Sequence, residues 1–115
     1  MMQIQDEVGT YIRQHSLLHP PEVHALDLIS EVGELVKEIL LAGDFAQRPV
    51  EANENLTEET GDTFLSLIAL AESLDVDLET ALRAALEKYE TRYPQKEHDG
   101  SSAGEPASPI TSQST

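Results

Sequence analysis

Residues 27–40, DLISEVGELVKEIL, constrain the chain more tightly than any other stretch. At 100° per residue, Leu28, Ile29, Val32, Leu35, Val36, Ile39 and Leu40 fill an arc of about 180°. A helix with such an arc is expected to turn it toward a core. Asp27, Glu31, Glu34 and Glu38 fall within about 60° of one another, along one edge of that arc. Acids three or four positions apart on a helix repel by a few tenths of a kcal/mol per pair. Something has to offset that repulsion.

The rest of the chain reads as helix and turn, with no period-2 alternation and no internal repeat. A first helix is expected from about Gln3 to His15. The prolines of HSLLHPPE stop it and suit the start of the next. The second helix is expected from about Glu22 to Leu41, with Gly43 supplying a left-handed stop. A third is expected from about Leu56 to Leu74, capped by Asn55 or Thr57. Asp77 is expected to cap a fourth that runs to about Arg92, before Pro94. Long helices with short connections predict an all-α antiparallel four-helix bundle over residues 1–94. Beyond it, residues 95–115 are rich in Ser, Gly and Pro and hold one large aliphatic side chain, Ile110. Such a segment cannot offset its ordering entropy by burial, and a disordered tail is expected there.

Composition narrows the functional classes. The chain has 115 residues, with 22 Asp plus Glu against 7 Lys plus Arg, and a formal net charge of -15. A surface so acidic offers no basic stripe to nucleic acid or to an anionic membrane. The absence of cysteine excludes disulfides and thiolate metal sites. No apolar run approaches the roughly 20 residues of a membrane span, and the polar, acidic N-terminus does not read as a signal peptide. A cytoplasmic location is the expectation.

A second acidic pair, Glu59 and Asp62 in EETGD, stands on the expected third helix. Its apolar face is Phe64, Leu67, Ile68, Leu70, Ala71 and Leu74, and the acidic stripe continues through the small residues Ser66, Ala69 and Ser73. Small followers leave room beside the carboxylates. Packed antiparallel, the two helices can bring Glu31, Glu34, Glu59 and Asp62 toward one point, where a cation would relieve their repulsion. Oxygen-only ligands favour magnesium, manganese or calcium over zinc. Magnesium takes one or two carboxylates and completes its shell with water and substrate phosphate, which suits phosphoanhydride hydrolysis. The bland alternative is an acidic face turned to solvent on a non-catalytic helical adaptor. A di-iron carboxylate bundle would need Glu-x-x-His on two helices, and neither motif helix has one. Gly33 and Gly61 lie on the apolar sides of their helices, where close helix approach is expected.

EVGEL at 31–35 followed by EETGD at 58–62 resembles the MazG-like branch of the all-alpha nucleoside triphosphate pyrophosphohydrolases. LAESLDVDLETALRAALEKYETRYP, residues 70–94, is similar to the family's closing turn and helix, and the likeness covers about residues 20–94. It implies a helical bundle in which Glu31, Glu34, Glu59 and Asp62 hold Mg2+, with Mn2+ as a substitute, and serve as the catalytic carboxylates. It further implies cleavage of a nucleoside triphosphate between the α- and β-phosphates, giving monophosphate and pyrophosphate. Lys88 and Arg92 match positions that contact phosphate, and His19 matches a nucleotide-facing histidine of some relatives. Relatives are dimers or tetramers, so a homodimer or homotetramer is implied. Phosphoribosyl-ATP pyrophosphohydrolase is a rival within the superfamily. The chain departs from many relatives at Ser30, which replaces an acid, at Ser66, which replaces an aromatic, and in having no tryptophan. Glu38 extends the first stripe and is a further candidate ligand.

Overall fold

The computed structural model describes residues 2–95. They form four α-helices: α1 Gln3–Gln14, α2 Pro21–Ala42, α3 Glu54–Ser73 and α4 Leu78–Arg92. No strand occurs among the described residues, and the fold is all-α as expected. Residues 96–115, nearly all of the expected tail, lie outside the described part. The chain divides into two compact units, Met1–Ala84 and a second beginning at Ala85.

Local chemistry explains the helix ends, with two corrections to the sequence reading. Pro21 occupies the first position of α2, where its fixed φ and missing N–H cost nothing. The α3 cap is Asn53, two residues before Asn55 and four before Thr57: its Oδ1 accepts the Leu56 N–H at 2.8 Å. Thr57 instead donates its hydroxyl to the Asn53 carbonyl. Asp77 does cap α4, its Oδ1 accepting the Glu79 N–H at 3.0 Å. At the end of α2, Gly43 has φ -97° and is not the left-handed stop. That conformation falls to Asp44, Phe45 and Ala46, with φ of 51°, 55° and 73°. Gly43 is needed for space: a Cβ there would stand 2.9 Å from Val50 Cγ2 and 3.2 Å from the Arg48 carbonyl oxygen.

Within the first unit α3 is central, packing against both α1 and α2. The α2–α3 pair is antiparallel, because Asp27 meets Ser66 while Glu31 meets Thr63. Ile68 is 1% exposed and anchors the core with Ile12, Leu56, Ala69 and Ala71. Close approach occurs between α1 and α3, at Gly9, where a Cβ would lie 2.6 Å from Glu72 Oε1. At Gly33 and Gly61, the expected places, a Cβ would meet nothing within 4 Å.

The apolar arc of α2 is also not the core of this chain. Ile29 is 70% exposed, and Val32, Val36, Ile39 and Leu40 are exposed as well. The only buried side chain of α2 is His24. One neighbouring helix covers a stripe of about 100°, so an arc of about 180° packed against α3 alone leaves much of itself uncovered. α4 likewise has no buried residue.

Candidate metal and substrate site

Asp27, Glu31, Glu34 and Glu38 recur every three or four residues on α2, along the edge that faces α3, and Glu59 and Asp62 answer from one turn of α3. Glu31, Glu59 and Asp62 each place a carboxylate oxygen within 4.8 Å of the other two. Three carboxylate oxygens converging from two helices fit one divalent cation, with room left in its shell for water or phosphate. Thr63 braces the place. Its hydroxyl lies 2.8 Å from the Glu59 carbonyl of its own helix and 3.4 Å from the Glu31 carbonyl across the seam.

Electrostatics records the crowding. Partial burial raises the pKa of Glu31 above its ordinary 4.5, and the charges of Asp27, Asp62 and Glu34 push it the same way. Glu59 is raised by desolvation too, then by Asp62, Glu34, Glu31 and Glu38. No cationic side chain enters either balance. Glu34 does not join the convergent trio, and its exposed carboxylate acts on Glu31 and Glu59 through its field. Glu38 acts on Glu59 in the same way.

Beside the trio lies a cavity of about 350 Å³ that Glu31, Asp62 and Asp27 share with an apolar wall of Ile12, Leu17, Val23, Leu65 and Ala69. Ser66 is buried and donates to Asp27 Oδ2 at 2.8 Å. The small residue one turn beyond Asp62 thus makes the room expected of it and also tethers an acid. His19 lines the cavity with His24, their ring centroids 5.6 Å apart. Lys88 and Arg92 stand one turn apart on α4, both exposed, in the unit that begins at Ala85, and the Arg92 guanidinium sits 5.6 Å from the Tyr89 ring centroid.

Sequence reasoning missed His24. It lies seven residues before Glu31 and three before Asp27, so the acidic stripe traced one turn further back passes through it. Its Nε2 accepts the His19 N–H at 3.0 Å and pins the proline loop to α2.

An all-α fold whose consecutive antiparallel helices converge three carboxylates beside a cavity defines a class of helical proteins with a candidate divalent-cation site. Residues 20–96 match the MazG nucleotide pyrophosphohydrolase domain, and the chain belongs to that family. It is 35% identical over 94 residues to YpjD of Bacillus subtilis (strain 168), an uncharacterized protein, covering 80% of this chain and 85% of that one. The crystal structure of YpjD, whose assignment as a pyrophosphatase is itself provisional, superimposes with a TM-score of 0.66 over 80% of this chain and 94% of that one. Among the described residues, no helix is long and apolar enough to cross a membrane.

Proposed function

We propose that the protein is a Mg2+-dependent pyrophosphohydrolase that cleaves nucleoside triphosphates between the α- and β-phosphates, releasing monophosphate and pyrophosphate. The observation that carries this reading is the convergence of Glu31, Glu59 and Asp62 within 4.8 Å, open to a cavity of nucleoside size. A divalent cation held there supplies the positive charge that neutralises the phosphates and favours attack by water. The chain's own residues do the rest. Glu31, Glu59 and Asp62 would hold that cation and through it set where the reacting phosphate stands relative to the cavity, and Glu34 adds charge at the outer side. The proton of the attacking water passes to one of these glutamates. The apolar wall takes the base, with His19 beside it.

The uncovered arc of α2 supports a homo-oligomer as the working form, since an apolar strip of this kind is stable in water once a second copy covers it. The protein is to be incubated with Mg2+ and a panel of canonical triphosphates in 18O-labelled water. The expected products are pyrophosphate and monophosphate in equal amounts. Orthophosphate plus diphosphate, or no turnover of any triphosphate, rejects the reading.

A further inference from the structure

His24 is 6% exposed and lines the cavity. One ring nitrogen, Nε2, accepts the His19 N–H at 3.0 Å. An imidazole nitrogen that accepts a hydrogen bond carries no proton, so in the neutral ring the proton sits on Nδ1. Burial lowers the pKa of this histidine first and the neighbouring His19 lowers it further, against a weaker opposing pull from Asp27. The ring is therefore neutral at pH 7, with Nδ1–H as a fixed donor. Among the described residues this donor has no acceptor. Buried donors are almost always satisfied, and one left unpaired beside a cavity is the kind of group a ligand completes. The Asp27 carboxylate, three residues on, already accepts from Ser66, and the cavity continues past it to Glu31 and Asp62.

We propose, granted the nucleotide reading above, that His24 is a substrate-specificity residue whose Nδ1–H donates to a carbonyl oxygen or unprotonated ring nitrogen on the base of the bound nucleotide. The base then lies among Leu17, Val23 and Leu65 with its polar edge on His24, and its triphosphate runs toward Glu31 and Asp62. A wall of aliphatic side chains gives affinity with little direction, whereas a donor of fixed position rejects any base that turns a donor to the same place.

Two substitutions separate reading the base from anchoring the loop. His24→Asn puts an amide N–H near the place of Nδ1 but cannot reach the His19 N–H. His24→Gln can accept the His19 N–H but offers nothing at Nδ1. With Mg2+ and the best triphosphate of the canonical panel, His24→Gln is expected to raise KM about tenfold with kcat within about twofold. His24→Asn is expected to stay within about threefold of wild type in KM. In the free protein, long-range proton–nitrogen correlation spectra are expected to show Nδ1 as the protonated nitrogen. Equal losses in the two variants, the reverse order, no loss in either, or a proton on Nε2 overturns the assignment. Failure of the wild type to cleave any triphosphate is a separate result that rejects the nucleotide reading itself, and the role of His24 with it.

Discussion

The two seams of α3 are built to opposite ends. Toward α1, polar groups are matched. Gln5 is fully buried, and its Nε2 donates at 2.8 Å both to Glu72 Oε2 and to the Val76 carbonyl. Its Oε1 accepts the Leu78 N–H at 2.9 Å. Arg13 reaches the other Glu72 oxygen at 2.6 Å, and Gly9 lets the two helices close over the pair. Toward α2, carboxylates face carboxylates, a buried histidine keeps a spare donor, and a cavity stands open. One glutamate is answered by a cation on the first seam; on the second, Glu31 and Glu59 are raised by desolvation and then by their acidic neighbours. The first seam holds the fold; in the proposed function the second is left for ligands.

If that division is right, damage on one side should leave the other property standing. The largest expected effect is on catalysis: Glu59→Gln and Asp62→Asn each lower kcat/KM for the best triphosphate by about 10²–10³-fold. Removing one like charge also relieves the seam, so the thermal midpoint of the metal-free protein should hold or rise. A fall in that midpoint would make these acids part of the fold. The converse substitution is Gln5→Leu, which strands the Leu78 N–H and leaves Glu72 with Arg13 alone. It is expected to cost about 2–4 kcal/mol, since a buried hydrogen-bonding centre is lost, or roughly 10 °C or more in Tm by thermal melting. Well below its midpoint, the variant should keep activity within about twofold. Loss of activity without loss of stability would break the comparison.

The carboxylate seam also has a pH signature. A glutamate whose pKa is raised in the folded chain binds a proton more tightly there than unfolded. Between its unfolded value near 4.5 and its raised folded value, the native state holds more protons, so stability falls as pH rises through that window. Above the window the full cost of the charged form remains. Glu31→Gln should flatten this part of the metal-free stability profile, and saturating Mg2+ should offset the cost by binding the ionised form. Melting curves across the window, with and without Mg2+, give the sign directly. A wild-type profile that rises through the window more steeply than that of Glu31→Gln contradicts the raised values.

How much of this could be read beforehand divides along the same seams. Helical periodicity exposed the acidic edge, because spacing on one helix is local and four of its acids lie within twelve residues. The second pair followed for the same reason. The Gln5 network was not legible, since its partners are 67 to 73 residues away and nothing marks one glutamine among surface polar residues. The apolar arc of α2 misled: periodicity reports which face is apolar and is silent on what covers it. Gly43 misled in a smaller way, as a glycine after a helix suggests a left-handed φ, while here its missing Cβ makes room for Val50. His24 was within reach, one turn back on a stripe already identified.

Gly33 gives the smallest effect and the sharpest reading of that uncovered arc. Within this chain a Cβ at Gly33 touches nothing within 4 Å, and glycine in a helix interior costs nearly 1 kcal/mol against alanine. Gly33→Ala should therefore stabilise the protein by up to about 1 kcal/mol in chemical denaturation if its surroundings stay open. In the proposed oligomer the arc is covered, and a second copy seated closely over Gly33 reverses the sign: the methyl group pushes the subunits apart, and both stability and mass in solution fall. Measured at two protein concentrations, the substitution separates these cases, because destabilisation by a displaced partner depends on concentration and a gain in helix propensity does not. Gly61, with the same open surroundings on α3, supplies the matching measurement. A gain at one glycine and a loss at the other would show which of the two helices the second copy covers.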